Sequence, residues 1–220
     1  MTMFIDRADA GRKLAVALEK YRDRNALILA IPKGGVQVGY EIAAHLHAEF
    51  SIVITRKLPF PDIPESGFGA IAEDGSLFLA EPVESIFPQD VFDVIVQQQR
   101  DEILRRIRVL RKGKPLPELR DRTVILVDDG IAVGSTMRAS IRICRNQRAK
   151  TVVVAAPVSS RTVKNQIAAE VDDIIVLETP PGFRAVADAY RNWYDVSDEE
   201  TIQILNQAGQ PQDPQAKWSS

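Results

Sequence analysis

Five short apolar runs recur along this 220-residue chain, separated by segments with helical spacing, and this alternation limits the fold more than any other feature. The runs are residues 26–31 (ALILAI), 50–55 (FSIVIT), 123–127 (TVILV), 151–158 (TVVVAAPV) and 173–178 (DIIVLE). They lack the apolar/polar alternation of a strand with one wet face. A continuously apolar strand is buried on both faces, and the helices between strands supply the cover. Asp6 is placed to cap a first helix in which Ala10, Leu14, Ala17, Leu18 and Tyr21 recur at helical spacing. Further helices are expected at residues 36–47, 89–111, 136–147, 162–170 and 198–207. The expected architecture is α/β: a parallel sheet of about five strands with helices on both faces, in one domain over residues 1–208. Residues 58–81 and 179–208 are expected to form a flap or hood, and the polar stretch 209–220 a disordered tail.

Composition removes several classes of function. The net charge of −2 attracts neither nucleic acid nor an anionic membrane, so any anion site must be local. Residues 1–9 are polar and charged, so no signal peptide is expected, and no apolar run is long enough for a membrane span. Cys144 is the single cysteine, which excludes an internal disulfide. His45 and His47 stand near a helix end without the partners of a zinc site, and Cys144 reads as a small buried hydrophobe. A cytoplasmic protein is the expectation.

Sheets of this kind bind ligands beyond the carboxyl ends of their strands. Those ends carry Lys33-Gly34-Gly35, Arg56-Lys57 and Asp128-Asp129-Gly130. The third is the most informative. An apolar strand delivers Asp128 and Asp129 to the sheet edge, and a small-residue loop then enters a helix. The N–H groups of Ala132, Val133, Gly134, Ser135 and Thr136 can converge on an anion at the helix N-terminus, helped by the dipole and two hydroxyls. Carboxylates would repel that anion but accept hydrogen bonds from sugar hydroxyls. A phosphate, a diol and one loop point to a ribose 5-phosphate. An ATPase phosphate loop needs Gly-Lys before Ser/Thr, a dinucleotide fingerprint needs Gly-x-Gly-x-x-Gly, and a response-regulator receiver needs another Asp ending a later strand; none is present. The bland alternative is a capped turn with surface aspartates.

The segment Val124-Ile-Leu-Val-Asp128-Asp129-Gly130-Ile-Ala-Val-Gly134-Ser135-Thr136 resembles the ribose-phosphate signature of type I phosphoribosyltransferases. Asp6-Arg7-xx-Ala10-Gly11, Pro32-Lys33-Gly34-Gly35-Val36, Gly69-Ala-Ile-Ala-Glu73-Asp74-Gly75 and Leu177-Glu178-Thr179-Pro180 extend the resemblance to a bacterial group of undefined substrate. The resemblance implies that Asp128 and Asp129 hold the ribose hydroxyls and residues 132–136 the 5′-phosphate. It makes Lys33, Gly34 and Gly35 the pyrophosphate loop, where such enzymes often carry a non-proline cis peptide. It also implies phosphoribosyl pyrophosphate, Mg²⁺ and an unidentified nitrogen base as partners, with Lys33, Asp128 and Asp129 in the catalytic centre. A homodimer is allowed, not required. Two positions depart from the pattern: Val133 replaces the usual Thr, and Ala132 the Asp of 6-oxopurine enzymes.

Other candidates have competing readings. Arg56 and Lys57, at the end of the second strand, either contact pyrophosphate or form a solvated pair. Glu73 and Asp74 read as hairpin-tip residues. Phe183, Tyr190, Trp193 and Tyr194 either stack on a base or pack under the last helix. The leading expectation is a transferase moving ribose 5-phosphate to a base. The alternative is a non-catalytic module that senses phosphoribosyl pyrophosphate or nucleotides with the same pocket.

Overall fold

The computed structural model describes residues 3–80, 82 and 88–208, with the side chains of residues 64 and 65 left out. Residue 81 of the expected flap, residues 83–87 and the expected tail therefore lie outside the described residues.

A five-stranded parallel sheet forms the centre, built from β1 (Leu27–Ala30), β2 (Glu49–Ile52), β6 (Thr123–Val127), β7 (Thr151–Val158) and β8 (Asp173–Glu178) in the order β2-β1-β6-β7-β8. Every residue of β1 is buried, as are Val124, Ile125, Leu126 and Val127 of β6. One face packs against α1 (Arg7–Ala17) and α2 (Gly34–Leu46), with Leu14, Leu18, Ile28, Val38 and Ile125 in a common cluster. The other packs against α4 (Ser135–Asn146) and α5 (Arg161–Ala168), where Leu126, Val154, Ile143 and Ile167 meet. The expected fold is thus present. Asp6 caps α1, its carboxylate accepting from Asp9 N–H at 2.8 Å.

The chain runs outward from β1 to β2 and returns through β6, so the sheet has a topological switch point between β1 and β6. Loops leaving adjacent strands there diverge and open a crevice. Pairing of Ala30 with Val127 brings the loops after these strands side by side.

Residues 55–80 differ from expectation. The second apolar run does not continue to Thr55: β2 ends at Ile52, and Thr55 opens β3 (Thr55–Phe60) in a second sheet. With β4 (Ile63–Ala72) and β5 (Leu77–Leu79) it forms an antiparallel sheet ordered β3-β4-β5, and only the expected hairpin around Asp74-Gly75 matches. The prolines and glycines that read as a loop have other uses. Pro59 sits where the β3–β4 register shifts on an outer strand, a place that tolerates a missing N–H. A Cβ on Gly69 would lie 2.3 Å from the Phe78 carbonyl oxygen, so that glycine permits close strand approach. The long helix α3 (Gln89–Arg111) packs on this sheet through Phe92, Ile95 and Ile103, next to Phe68 and Ile71. The final helix, α6 (Asp198–Ala208), adds Ile204 to that cluster.

Candidate ribose-phosphate site

The loop after β6 begins with two carboxylates in different surroundings. Asp129 is buried, and its Oδ2 accepts from Arg7 Nε at 2.8 Å. Arg7 also donates to the Tyr194 carbonyl at 2.9 Å and stacks on Trp193, 4.1 Å from the ring centroid. Tyr190 OH donates to the Asp129 carbonyl at 2.5 Å. Asp128 is half-buried and its Oδ1 accepts from Asp129 N–H at 2.8 Å. Burial raises the Asp128 carboxyl pKa well above the usual carboxylate range, and the adjacent Asp129 charge pushes the same way. The pair is therefore unequal: Asp129 is anchored by a guanidinium, while Asp128 is the acid that faces the crevice.

The rest of the loop forms a cleft of about 340 Å³. Its lining includes Asp128, Ile131, Ala132, Val133, Gly134, Ser135 and Thr136, and from the antiparallel sheet Lys57, Ser66 and Gly67. Gly134 has φ +84°, a left-handed conformation that glycine reaches without steric cost, and it precedes the first turn of α4. Arg138, buried behind the loop, donates to the Val133 carbonyl at 3.2 Å and is held by Glu170 at 2.7 Å and Gln166 at 3.0 Å. The loop's shape is thus fixed from behind by a paired guanidinium. Val133 is 67% exposed, so its side chain is not a core element.

Gly34 and Gly35 lie against the acidic pair. The Pro32–Lys33 peptide is cis, and α2 starts at Gly34, earlier than the spacing predicts, so both glycines occupy its first turn. A Cβ on Gly34 would fall 1.8 Å from Asp129 Oδ2, and one on Gly35 would fall 2.7 Å from the Val127 carbonyl oxygen. The glycines let the N-terminus of α2 press against the two carboxylates, a favourable place for negative charge. Lys33 Nζ lies 3.9 Å from Asp198 at the start of α6.

Arg56 and Lys57 are not a pair at the end of the second strand. Both lie in β3, and successive strand residues point to opposite faces. Lys57 lines the cleft, while Arg56 turns to α3, where its Nε donates to Gln99 at 3.1 Å. Burial lowers the Arg56 pKa, with the Arg106 charge adding to the effect.

Glu73 lies in the turn of the expected hairpin, but its side chain is buried and paired, unlike that of a solvated tip residue. It accepts from Arg111 Nη1 at 3.0 Å and from Ile54 N–H at 2.8 Å, with a second bond from Arg111 Nη2. This buried pair ties the antiparallel sheet to the end of α3 and to the β2–β3 junction. Among the aromatic candidates, Tyr190 packs with Phe4 and Phe183, and Trp193 and Tyr194 surround Arg7. Sequence reasoning missed Arg7 as a site residue, because its partner is 122 positions away. Its only signal was its place in the Asp6-Arg7 motif. His47 ends α2 in a left-handed conformation, and His45 meets Glu19 at 2.6 Å, both remote from the cleft. Cys144 is fully buried, which pushes its thiol pKa up to about 12.

The sequence profile of the phosphoribosyl transferase domain matches residues 6–184. The chain belongs to the phosphoribosyl transferase family. It is 37% identical over 210 residues to presumed phosphoribosyl transferases from two strains of Mycobacterium tuberculosis; the match covers 94% of this chain and 47% of theirs. The chain thus spans about half the length of these curated relatives. The crystal structure of protein TT1426 from Thermus thermophilus superposes with a TM-score of 0.79 at 33% identity, covering 94% of this chain and 99% of that one. Protein AQ2163 from Aquifex aeolicus, at 11% identity and a TM-score of 0.50, shares the fold; the match covers 78% of this chain and 73% of that one. Among the described residues of this family member, no helix is long and apolar enough to cross a membrane.

Proposed function

We propose that this phosphoribosyl transferase family member binds phosphoribosyl pyrophosphate and transfers its ribose 5-phosphate to a nitrogen base with release of pyrophosphate. The observation that carries the reading is the cleft in which a crevice-facing carboxylate, Asp128, adjoins the glycine-started N-terminus of α4. The N–H groups of residues 132–136 and the Ser135 and Thr136 hydroxyls hold the 5′-phosphate in this reading. Asp128 accepts from the ribose hydroxyls, and Asp129, fixed by Arg7, sets the position of its neighbour. Lys33 and the Gly34 amide, toward α2, stabilise the charge that grows on departing pyrophosphate, while the Gly35 N–H donates to the Ile31 carbonyl at 3.1 Å and its lack of a side chain keeps the turn close to the acidic loop. The base nitrogen attacks C1 of the ribose with inversion as the C1–oxygen bond to pyrophosphate breaks. Closure of the cleft by the antiparallel sheet excludes water, which would otherwise hydrolyse the activated sugar.

The described residues contain no cluster of three acidic, histidine or cysteine ligands. Mg²⁺ bound mainly by phosphate oxygens suits such a site. In this reading the ion would enter with the pyrophosphate substrate and would supply positive charge toward the leaving group.

Incubation with phosphoribosyl pyrophosphate, Mg²⁺ and a panel of purine, pyrimidine and other nitrogen bases tests the proposal through pyrophosphate release. Release with one or more bases is the expected result. The exposed Val133, which lacks the hydroxyl usual in the family pattern, favours a second reading as a ligand-sensing module. Tight binding of phosphoribosyl pyrophosphate without release on any base would support that reading instead.

A further inference from the structure

The anion cradle of the cleft is electrically incomplete when only its own loop is considered. A phosphate ester carries roughly −1.5 to −2 charges at neutral pH, whereas a helix N-terminus supplies about +0.5. Asp128 lines the same cleft and adds no positive charge. Arg138 stands behind the loop and does not line the cleft. Lys33 is not part of the cleft lining. Among the described residues that line it, Lys57 is the one cation, and it stands on the antiparallel sheet facing the loop.

The local structure directs Lys57 there. Strand alternation sends Arg56 to α3 and Lys57 to the cleft. Gly67, on the adjacent strand, then lets the lysine stem lie across β4: a Cβ at this position would fall 2.5 Å from Lys57 Cγ and 2.8 Å from its Cδ. Ser66 beside it adds a hydroxyl to the same wall.

We propose that Lys57 is the counter-cation of the 5′-phosphate, so that the phosphate is gripped between the N-terminus of α4 and the antiparallel sheet. This reassigns Lys57 from pyrophosphate, where its place after the second apolar run put it, to the opposite end of the ligand. It rests on the ribose-phosphate reading of the cleft. It also identifies a binding determinant outside the signature loop, one that any ligand with a terminal phosphate on the ribose would use.

Calorimetric titration of ribose 5-phosphate, phosphoribosyl pyrophosphate and inorganic pyrophosphate into the wild-type chain, Lys57→Gln and Lys57→Arg tests the assignment, with thermal unfolding as a check on folding. Lys57→Gln keeps most of the stem and removes the charge. It is expected to weaken ribose 5-phosphate and phosphoribosyl pyrophosphate by a similar factor, roughly ten-fold or more. Pyrophosphate binding is expected to stay within about two-fold, and Lys57→Arg to restore most of the ribose 5-phosphate affinity. Unchanged ribose 5-phosphate binding in a folded Lys57→Gln chain would overturn the assignment, as would a loss confined to pyrophosphate-bearing ligands. If Lys57→Gln does not fold, Lys57→Arg and Gly67→Ala, which displaces the stem, carry the test on the same ligands. Failure of the wild-type chain to bind ribose 5-phosphate at millimolar concentration would instead overturn the ribose-phosphate reading itself.

Discussion

The parallel sheet and the antiparallel sheet meet at one cleft but contribute to it differently. The parallel sheet offers backbone: β6 is buried up to Val127, and the chain then enters a glycine-punctuated loop whose N–H groups and carbonyls are set by the strand before it and the helix after it. The antiparallel sheet offers side chains, chiefly Lys57 and Ser66, from strands whose residues are partly exposed at the cleft. The first arrangement is inseparable from the fold, since the residues that shape the loop also pack the core. The second also packs into the core, through Leu58, Phe68, Ala70 and Ile71, but its cleft-facing side chains Lys57 and Ser66 lie outside that packing and can vary in chemistry without disturbing it. The difference teaches where to look for specificity and where to look for stability, and substitutions can separate the two.

The strongest expected effect lies at the attachment point. Glu73 and Arg111 are both buried, and Glu73 also accepts from Ile54 N–H where β2 hands over to β3. Glu73→Ala leaves a guanidinium uncompensated in the interior, a change that costs about 3–5 kcal/mol. Urea unfolding is expected to show a loss of that order. A loss below about 1 kcal/mol would mean that the antiparallel sheet is held by its apolar contacts alone, and the contrast between the two sheets would weaken.

The acidic pair comes next, because its members fall on opposite sides of the same division. Asp129→Asn removes the charge that compensates buried Arg7 and is expected to cost stability, at about 3 kcal/mol, the lower end for a broken buried pair. Asp128→Asn is expected to leave stability unchanged or raise it slightly, since burial already disfavours the ionised form of this carboxyl. It should weaken ribose 5-phosphate binding by about 1–3 kcal/mol, the scale of leaving a hydrogen-bonding group in a closed site without its matched partner. Chemical denaturation and calorimetry on both variants decide the matter. The reverse pattern would place the sugar beside Asp129.

Gly34→Ala tests the backbone side of the comparison. The new Cβ meets the Asp129 carboxylate at 1.8 Å and forces either α2 or the acidic loop to move. Overpacking of this kind costs about 1–3 kcal/mol. Thermal unfolding is expected to show a lower midpoint, and titration a weaker response to phosphoribosyl pyrophosphate. A normal melting profile with normal affinity would show that the contact relaxes freely.

The two regions were also unequally legible in the sequence. Continuous apolar runs have one physical explanation in a chain of this length, burial between helices, and β6, β7 and β8 fall where the runs do. The second run misled because its apolar character outlasts its strand: Val53 and Ile54 remain buried while the chain crosses from one sheet to the other. In the antiparallel sheet, Pro59, Gly67 and Gly69 imitate turn signals, and only neighbours distant in sequence reveal their roles beside a register shift, a lysine stem and a carbonyl. Long-range electrostatic partners were hidden for the same reason. Nothing local distinguishes Asp129 from Asp128, or Glu73 from a surface acid, until Arg7 and Arg111 arrive from 122 and 38 positions away.

The smallest expected effect lies where the family pattern and this chain part. Val133 stands where the pattern has Thr, and at 67% exposure it makes no demand on the core. Val133→Thr nearly preserves size, so stability is expected to change by less than about 0.5 kcal/mol. The added hydroxyl can donate to a phosphate oxygen. With good geometry that is worth about 1.5–3 kcal/mol, and with poor geometry nothing. Ribose 5-phosphate affinity is therefore expected to rise or stay constant in a calorimetric titration. A clear loss of affinity would show that the valine side chain contacts the ligand, and that the cradle recognises something less polar than a phosphate at that point. Tighter binding with no pyrophosphate release on any base would favour the sensing module. If the native chain turns over with some base, backbone N–H groups and Lys57 meet the phosphate's needs without the hydroxyl. The division between a backbone cradle and a side-chain wall would then account for why this position is free to be valine.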